Sequence, residues 1–381
     1  MYIKILEDLV GCQSLTPHSA GAIEYISALL EQNGFKTEIK IFGNENYNVT
    51  NLYAVYGDSR PNICFAGHVD VVPASDASLW FNDPFTATNI GDKIYGRGVV
   101  DMKGAVACFL AASLDFIRLN PIINGAVSFL LTSDEEGEAK YGTAEMLKYL
   151  HRNNSNLIDL AIVGEPSNER EVGDTVKIGR RGSINFVLTI YGVPGHVAYP
   201  IEANNPITAL ILILNELNNH VLDAGSEFFQ KSNLEITSVD VGNKVINVIP
   251  RKISANFNIR FNDLHSLSSL IIWVKQVVEK YRGEHKFEYE LSNLLSADCF
   301  IQKSVGLVDD FVQLVTDTTK IDTKLSTSGG TSDARFIKNY CPVVEFGLKS
   351  ETAHKINEYT EIIDLQKLYY VYYQSLIRFL I

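Results

Sequence analysis

The sequence predicts an α/β protein that carries a second, smaller α+β domain inserted into its chain. Strand-like and helix-like segments alternate through the first half of the chain and again near its end. The middle of the chain, which begins near Gly179, has a different pattern. The length of 381 residues also favours two domains, because a single hydrophobic core rarely grows beyond ~250–300 residues.

The first part of the chain alternates between apolar runs and amphipathic segments. Helical spacing of the apolar residues up to about Gln32 predicts two helices, interrupted at Thr16-Pro17. The later segments are predicted as strands Thr37–Phe42, Asn51–Tyr56 and Ile63–Ala66, helix Met102–Leu119, strand Ala126–Thr132, helix Thr143–His151 and strand Leu160–Val163. Strands that alternate with helices indicate a largely parallel sheet between helical layers.

The middle of the chain has a different order of elements. It reads as strand Ile184–Tyr191, helix Pro206–Leu222, strands Asn233–Val241 and Lys252–Phe261, helix Leu267–Tyr281 and strand Lys286–Leu291. This βαββαβ order is typical of a ferredoxin-like unit. The α/β pattern then returns with helix Val308–Thr318, strand Val343–Phe346 and a last helix from Ile362. We therefore predict a main domain from residues 1–179 and 295–381 and an inserted domain from residues 180–294.

Composition excludes several classes of function. The 33 Lys+Arg against 45 Asp+Glu give a formal charge of −12, which argues against a nucleic-acid partner. The longest apolar run, Ile207 to Leu214, is far short of the ~20 residues of a membrane-spanning helix. The 5 cysteines are an odd number without C-x-x-C spacing, which favours reduced thiols and a cytoplasmic location.

Histidine and acidic residues follow three of the predicted strands. His68 and Asp70 lie two apart at the end of the third strand and so share a face. Asp134-Glu135-Glu136 and Glu165 follow the next two strands of the main domain. Ligands of open α/β sheets gather beyond the carboxyl ends of the strands, so we expect these side chains to converge. Simpler explanations stay open at this point, since Asp101 alone reads as a helix cap and acidic loops are usually solvated.

The converging residues have the composition of a hydrolytic metal site. Two histidines, His68 and His354, with several carboxylates and no cysteine are the ligand set of catalytic rather than structural zinc. A bridging carboxylate and a hydroxide hold two ions ~3.5–4 Å apart. Two Zn²⁺ ions balance three carboxylates and one hydroxide, whereas one ion leaves the cluster strongly anionic. The sequence therefore predicts two zinc ions.

Motifs in one order along the chain resemble those of the dinuclear zinc amidohydrolases and exopeptidases related to aminoacylase and carboxypeptidase. The matching segments are Gly67–Asp70, Gly96–Gly104, Ser133–Gly137, Val163–Pro166, Gly192–Pro200, Ser326–Asp333 and His354–Glu358. The resemblance implies that the main domain is a three-layer, zinc-exopeptidase-like catalytic domain. It implies that the inserted domain is a lid through which two subunits form a dimer.

The resemblance also implies a role for each residue of the metal site. The implied ligands are Asp101 as the bridge, His68 and Glu165 at one ion, and Glu136 and His354 at the other. Glu135 is implied as the general base. Asp70 is also expected to be catalytic, because its spacing lets its carboxylate hold one nitrogen of His68 while the other nitrogen binds a metal. Cobalt is expected to substitute for zinc, and a cis peptide is expected after Asp101.

For the substrate, the resemblance implies an anionic N-acyl amino acid. His196 is implied to stabilise the oxyanion in the site of the partner subunit of a homodimer. The implied substrate contacts are Arg180, Asn247, Gly330 and Thr331. The expected reaction is hydrolysis of N-succinyl-LL-2,6-diaminopimelate to succinate and LL-2,6-diaminopimelate, in bacterial lysine and peptidoglycan-precursor synthesis. Residues Leu348–Ala353 replace an Asn-Ala-Thr segment of the family, which leaves recognition of the acyl chain on that side open.

Three other interpretations compete with this one. The nearest is a sister enzyme with the same zinc chemistry, such as an acetylornithine deacetylase or a broad aminoacylase or carboxypeptidase. A catalytically idle metal-binding scaffold is a second, but the chain retains the base and every ligand position. A nucleotide-binding protein is a third, because Gly96-Arg97-Gly98 resembles half of a phosphate loop, but the full glycine fingerprint is absent.

Overall fold

The structure is a computed structural model that describes residues 1–153, 158–303 and 305–381. The helices are α1 (Tyr2–Gly11), α2 (Ala22–Glu31), α3 (Lys103–Leu119), α4 (Thr143–Arg152), α5 (Pro206–Asn219), α6 (Leu267–His285), α7 (Leu307–Thr319), α8 (Ala334–Ile337) and α9 (Ile362–Leu380). The strands in the first half are β1 (Lys36–Asn44), β2 (Tyr47–Gly57), β3 (Asn62–His68), β4 (Thr88–Ile90), β5 (Lys93–Tyr95), β6 (Ala126–Thr132), β7 (Leu160–Val163), β8 (Thr175–Lys177) and β9 (Gly179–Arg180). The strands in the second half are β10 (Gly182–Tyr191), β11 (Gly195–His196), β12 (Asn233–Asp240), β13 (Val248–Ile249), β14 (Lys252–Phe261), β15 (Glu288–Ala297), β16 (Phe300–Ile301), β17 (Lys324–Ser326), β18 (Val343–Glu345) and β19 (Tyr359–Glu361).

Contacts between Cα atoms divide the chain into two compact units. The first unit comprises Met1–Gly179, Gln302–Ser326 and Ser332–Ile381, and the second comprises Arg180–Ile301 and Thr327–Thr331. The second unit thus extends past the predicted boundary at residue 294, because β15 continues to Ala297 and pairs there with Ser183 of β10. The roles predicted for the two domains stay predictions.

The first unit is built on an 8-stranded mixed sheet with the order β1-β2-β6-β3-β7-β18-β8-β17. Its centre is parallel, since β3 pairs in parallel with β6 and β7, and β18 does so with β7. The prediction of a largely parallel sheet holds for these central strands, whereas β1 and β2 are antiparallel. Helix layers cover the central strands on both faces, so every residue of β3, β6 and β7 is buried.

Helix α3 forms the middle of one helical layer. It packs against α1 and α9, and its segment is apolar on nearly all sides because neighbours surround it. The stacked rings of Phe65 and Phe109, with centroids 4.5 Å apart, join this layer to the sheet below the site. This packing fixes the start of α3 at Lys103, two residues after Asp101.

The second unit has the predicted βαββαβ order. Its 4-stranded antiparallel sheet has the order β12-β14-β10-β15, which is the ferredoxin-like arrangement. Alternate residues of β10 and β14 are buried against α5 and α6, and the other residues face away from the helices. No helix within the described ranges is long and apolar enough to cross a membrane.

Candidate metal centre

The ends of three neighbouring strands carry the side chains that the sequence analysis singled out. His68 is the last residue of β3, Glu135 and Glu136 follow β6, and Glu165 follows β7. Because β3 pairs in parallel with both β6 and β7, these residues leave the sheet at the same edge. Convergence of these side chains was expected from the sequence, and the structure shows it.

Asp101 joins the two histidines. Its Oδ1 lies 3.2 Å from Nε2 of His68, and its Oδ2 lies 3.2 Å from Nε2 of His354. Nε2 of His354 also lies 2.7 Å from Oε1 of Glu136, and Nε2 of His68 lies 3.6 Å from Oε1 of Glu165. One carboxylate therefore offers an oxygen to each of two groups of ligand atoms, and the peptide after Asp101 is cis as expected.

The donor atoms fit a metal ion on both sides of Asp101. His68, Asp101 and Glu165 form one group and Asp101, Glu136 and His354 form another, and in each group the candidate ligand atoms lie within 4.8 Å of one another. A third group, within the same limit, joins His68 to Glu135 and Glu136. Nitrogen and oxygen donors with two histidines suit zinc-like ions. The first two groups correspond to the ligand sets implied by the sequence.

Asp70 supports this arrangement in a way that the sequence did not predict. Nδ1 of His68 lies 2.9 Å from the backbone carbonyl oxygen of Asp70 but 3.6 Å from its carboxylate. Because Nδ1–H donates to that carbonyl, Nε2 is the nitrogen of His68 that remains for a metal ion. The buried carboxylate instead accepts the backbone N–H groups of Glu135 and Glu136, at 3.3 and 3.0 Å. Asp70 thus orients both a ligand and the turn that holds the predicted base.

The electrostatics of the centre call for positive charge. Burial, and then the charge of Glu165, raises the pKa of Glu135 well above its usual range. Hydrogen bonds to Asp101 and Glu136 raise the pKa of His354 to about 10. Burial lowers the pKa of His68, but Asp101 and the neighbouring carboxylates outweigh it and raise that pKa well above 6.5. The carboxylates gathered at the centre contribute to all three shifts, and metal cations would neutralise their negative charge.

Asp134, next to the predicted base, has a structural task. Its side chain is fully buried, and it accepts the hydroxyl of Tyr47 and the backbone N–H groups of Lys140 and Tyr141 at 3.0 and 3.2 Å. These bonds close the turn that follows Glu136. Asp134 and Glu136 therefore have different partners, although they lie two residues apart.

The residues implied to contact substrate lie in the second unit and form two groups there. His196 is exposed on β11, which pairs with β13, and the N–H of Val197 donates to the carbonyl of Asn247 at 3.1 Å. Arg180 is buried, and its Nη1 donates to the carbonyl of Ser328, in the loop that continues to Gly330 and Thr331, at 3.4 Å. The structure brings His196 beside Asn247 and Arg180 beside the glycine loop.

The sequence analysis missed Arg260 of this unit. Arg260 lies on the face of β14 that the helices do not cover, opposite Ser183 in the register. Burial, and then the positive charge of Arg181, lowers the pKa of Arg260. Two guanidinium groups that approach each other are a candidate anion site. The period-two pattern of β14 was the available signal, because Phe257, Ile259 and Phe261 leave residue 260 on the other face.

Residues 64–378 match the family described as Peptidase family M20/M25/M40. The chain belongs to this family. Members of the M20/M25/M40 family among the solved structures share its fold: an M20 metallo-carboxypeptidase from Sulfolobus solfataricus is 17% identical, with a TM-score of 0.81 and coverage of 98% of both chains. A dinuclear metal-binding peptidase of the M20 family from Bacillus subtilis is also 17% identical, with a TM-score of 0.70 and coverage of 99% of this chain and 97% of that one.

Curated relatives are much more similar in sequence to this M20/M25/M40 chain. One from Rickettsia bellii (strain RML369-C) is 61% identical over 377 residues, which cover 99% of this chain and 96% of the relative. One from Rickettsia felis is 61% identical over 382 residues, with 100% of both chains covered. Both are named succinyl-diaminopimelate desuccinylase. Family membership and the two donor groups support a dinuclear metal site in this hydrolase.

Proposed function

We propose that this chain removes the succinyl group of N-succinyl-LL-2,6-diaminopimelate by hydrolysis, with two zinc ions bound. The observation that carries the proposal is the carboxylate of Asp101, which lies 3.2 Å from Nε2 of both His68 and His354. The names of the relatives from Rickettsia, at 61% identity, favour this substrate over those of the sister enzymes. An acetylornithine deacetylase or a broad aminoacylase is the alternative within the family.

Five side chains would hold the metal ions. Asp101 would bridge them, with His68 and Glu165 at one ion and Glu136 and His354 at the other. Bound zinc supplies a Lewis acid for the amide carbonyl and makes water a nucleophile near neutral pH. Zinc is favoured over Mg²⁺ or Ca²⁺ by the two imidazoles, and cobalt, which accepts the same donors, is expected to replace it.

Glu135 is the proposed general base. It is partly buried next to both donor groups, and Asp70 holds its backbone N–H. From this position Glu135 can take a proton from the attacking water and keep it until the amine leaves. It then donates that proton to the leaving nitrogen. One carboxylate thus serves both proton transfers.

The substrate's carboxylates would be bound by guanidinium groups of the second unit. In a protein of formal charge −12, an anion gains little from long-range attraction and depends on contacts at short range. Arg180, with Arg181 and Arg260 on the same unit, supplies such contacts, since guanidinium binds carboxylate through two parallel hydrogen bonds. Asn247, Gly330 and Thr331 are the proposed neutral contacts.

The unusual segment Leu348–Ala353 does not add a cation to this set. Nζ of Lys349 lies 2.8 Å from Asp364 and 3.1 Å from Glu361, so its charge is already paired. Leu348 is buried, and Thr352 bonds with the backbone of Tyr359. We infer that recognition of the succinyl carboxylate rests on the arginines rather than on this segment.

A homodimer is the proposed assembly, with His196 acting in the site of the partner subunit. The second unit exposes apolar side chains near His196: Val197, Tyr199, Ile201 and Ile246, the last two at 98% and 100%. Strand β12 is an edge of its sheet, with unpaired backbone groups on one side. Surfaces of this kind are usually covered by another chain. A cytoplasmic location is favoured by the cysteines, which form no disulfide among the described residues.

One assay tests the function. Zinc-loaded enzyme is given N-succinyl-LL-2,6-diaminopimelate, N-acetylornithine and simple N-acyl amino acids, and kcat/KM is measured for each. The proposal expects the succinyl substrate to be preferred by at least ~10²-fold, which corresponds to about 2.7 kcal/mol of differential transition-state binding. Equal or greater efficiency with N-acetylornithine would assign the chain to the sister enzymes. No hydrolysis by metal-loaded protein would favour the idle scaffold.

A further inference from the structure

A buried ion pair joins the two loops that carry Asp101 and His354. Arg97 lies four residues before Asp101, and Glu358 lies four residues after His354. The side chains of Arg97 and Glu358 are 1% and 0% exposed, and Nη1 of Arg97 donates to Oε2 of Glu358 at 2.7 Å. Neither residue belongs to the donor groups described above.

Glu358 holds the backbone of the Asp101 loop. Its Oε2 accepts the N–H of Gly98 at 3.1 Å, and its Oε1 accepts those of Val100 and Asp101 at 2.8 and 3.3 Å. The N–H of Gly96 donates to the backbone carbonyl of Glu358 at 3.0 Å. Hydrogen bonds to a carboxylate are stronger than neutral ones, so this residue fixes the path of the loop up to the bridging ligand.

Arg97 holds the turn that carries His354. Its Nη1 donates to the carbonyl of Lys355 at 3.3 Å, and its Nη2 donates to those of His354 and Pro73 at 3.4 and 3.3 Å. The guanidinium lies over the ring of Trp80 at 5.1 Å, which limits its movement. His354 has a φ of 62°, a left-handed conformation that a non-glycine residue keeps only when its surroundings impose it.

We propose that Arg97 and Glu358 are positioning residues that set the distance between Asp101 and His354 for metal binding. The inference rests on the proposed function, because it takes Asp101 and His354 as ligands. An ion pair this deeply buried is poorly explained by stability, since an apolar pair of similar size stabilises a core at least as well. Residues that orient metal ligands typically change metal affinity 10–100-fold when they are replaced.

Zinc affinity is the measurement that tests this role. Apo-protein of wild type, Glu358→Gln and Arg97→Lys is titrated with zinc against a chromophoric chelator, and circular dichroism checks that each variant is folded. Glu358→Gln should weaken at least one zinc site by 10–100-fold. Arg97→Lys keeps the charge but loses the planar fork, so a smaller loss is expected. If Glu358→Gln does not fold, the affinity of Arg97→Lys decides the matter alone.

A core variant away from the site controls for general loss of stability. Val127→Ala removes buried carbon at the start of β6, the end of the strand opposite Glu135, and should lower the melting temperature without weakening zinc. In the double variant, the losses from Arg97→Lys and Glu358→Gln should not add, because the two side chains act as one unit. Wild-type zinc affinity in the folded variants, or an equal loss in Val127→Ala, would overturn the proposal.

The ligand variants His354→Ala and Asp101→Asn separate this inference from the proposed function. His354→Ala should lose one zinc ion per chain, and Asp101→Asn, which changes the ligand shared by both donor groups, should lose at least one. If they bind zinc like wild type, the ligand assignment is wrong, and the positioning role of Arg97 and Glu358 is then wrong as well. If they lose zinc while folded Glu358→Gln binds it normally, the assignment stands and only the role of Arg97 and Glu358 is wrong.

Discussion

The carboxylate of Asp70 accepts the backbone N–H of Glu135 at 3.3 Å, while the carbonyl of Asp70 lies 2.9 Å from Nδ1 of His68. Asp70, two residues after the end of β3, therefore orients a histidine of one donor group and the turn that begins with Glu135. The hydrogen bond that positions Glu135 is therefore made by its backbone N–H. Its carboxylate takes no part in that bond and is available for proton transfer.

Glu135→Gln should bind metal normally and lose turnover by more than ~10³-fold. A general acid or base contributes ~10²–10⁴-fold, and this residue is proposed to serve two proton steps. The measurement is kcat on the succinyl substrate together with metal content. Glu138→Gln, on the same loop but exposed, is the matched control and should be close to wild type. A near-normal rate in Glu135→Gln would remove it as the base.

Full activity should require two metal ions per chain. The two donor groups share only Asp101, and one divalent ion cannot offset the carboxylates of both. Apo-enzyme is titrated with zinc while bound metal and kcat are followed together. Glu165→Gln, which leaves the group of Asp101, Glu136 and His354 complete, should bind one ion less. Maximal turnover at one equivalent, without a gain from a second, would contradict the prediction.

Strand and helix order was predictable because burial leaves a clear pattern in the sequence. Strands Leu160–Val163 and Lys252–Phe261 were predicted at the observed bounds, since the first is wholly apolar and the second alternates with period two. The short strands β4, β5 and β19 were missed. Each of these strands has three residues with mixed burial, which is too short for a periodic pattern to be recognised in the sequence.

Within the site, the sequence predicted which residues come together but not how each one is bonded. Strand ends and motifs were enough to select His68, Asp101, Glu136, Glu165 and His354. The carbonyl rather than the carboxylate of Asp70 faces the imidazole, and no pattern of side chains carries information about a backbone carbonyl. Glu358 belongs to the motif His354–Glu358, but its four donors come from a loop more than 250 residues away, which only the fold reveals.

Gly347→Ala should damage both stability and the metal centre. A Cβ at this position would lie 2.3 Å from the carbonyl oxygen of Gly164 and 2.5 Å from that of Glu165, so the backbone of a proposed ligand must move. We expect a loss of ~1–3 kcal/mol in unfolding free energy, the usual cost of forcing atoms into a packed site. Calorimetry of the apo-protein and zinc titration measure the two effects.

Gly283→Ala is the control for that substitution. Gly283 lies within α6, and a Cβ there would meet no atom within 4 Å. Alanine in a helix is favoured over glycine by ~0.5–1 kcal/mol, so this variant should be slightly more stable than wild type. Equal effects of the two substitutions would show that close approach at Gly347 is not the cause.

Mixing two inactive variants should restore activity if His196 acts across a dimer. In a hybrid of His196→Ala with Glu135→Gln, one site has an intact base and an intact histidine, while the other has neither. At full exchange about a quarter of wild-type activity is expected, because half of the dimers are hybrids with one working site. Kinetics after subunit exchange, with exchange verified by native mass spectrometry, provide the test. No recovery despite exchange would place His196 in the site of its own subunit.

Arg180→Ala should reduce kcat/KM for the succinyl substrate far more than for an N-acetyl analogue. Arg180 is buried, and replacing one partner of a desolvated charge pair usually costs ~2–5 kcal/mol, which is ~30-fold or more in kcat/KM. The acetyl analogue lacks the terminal carboxylate, so it serves as a matched control for any disturbance of the loop at Ser328 that Arg180 also contacts. Arg260→Ala separates the two proposed anion contacts. If Arg260 binds the second carboxylate of the diamino acid rather than succinate, this variant should lose less kcat/KM on N-succinyl monoamino acids, which lack that carboxylate. If Arg180→Ala loses the same factor on both acyl groups, Arg180 does not bind the succinyl carboxylate, and recognition of that group must lie elsewhere.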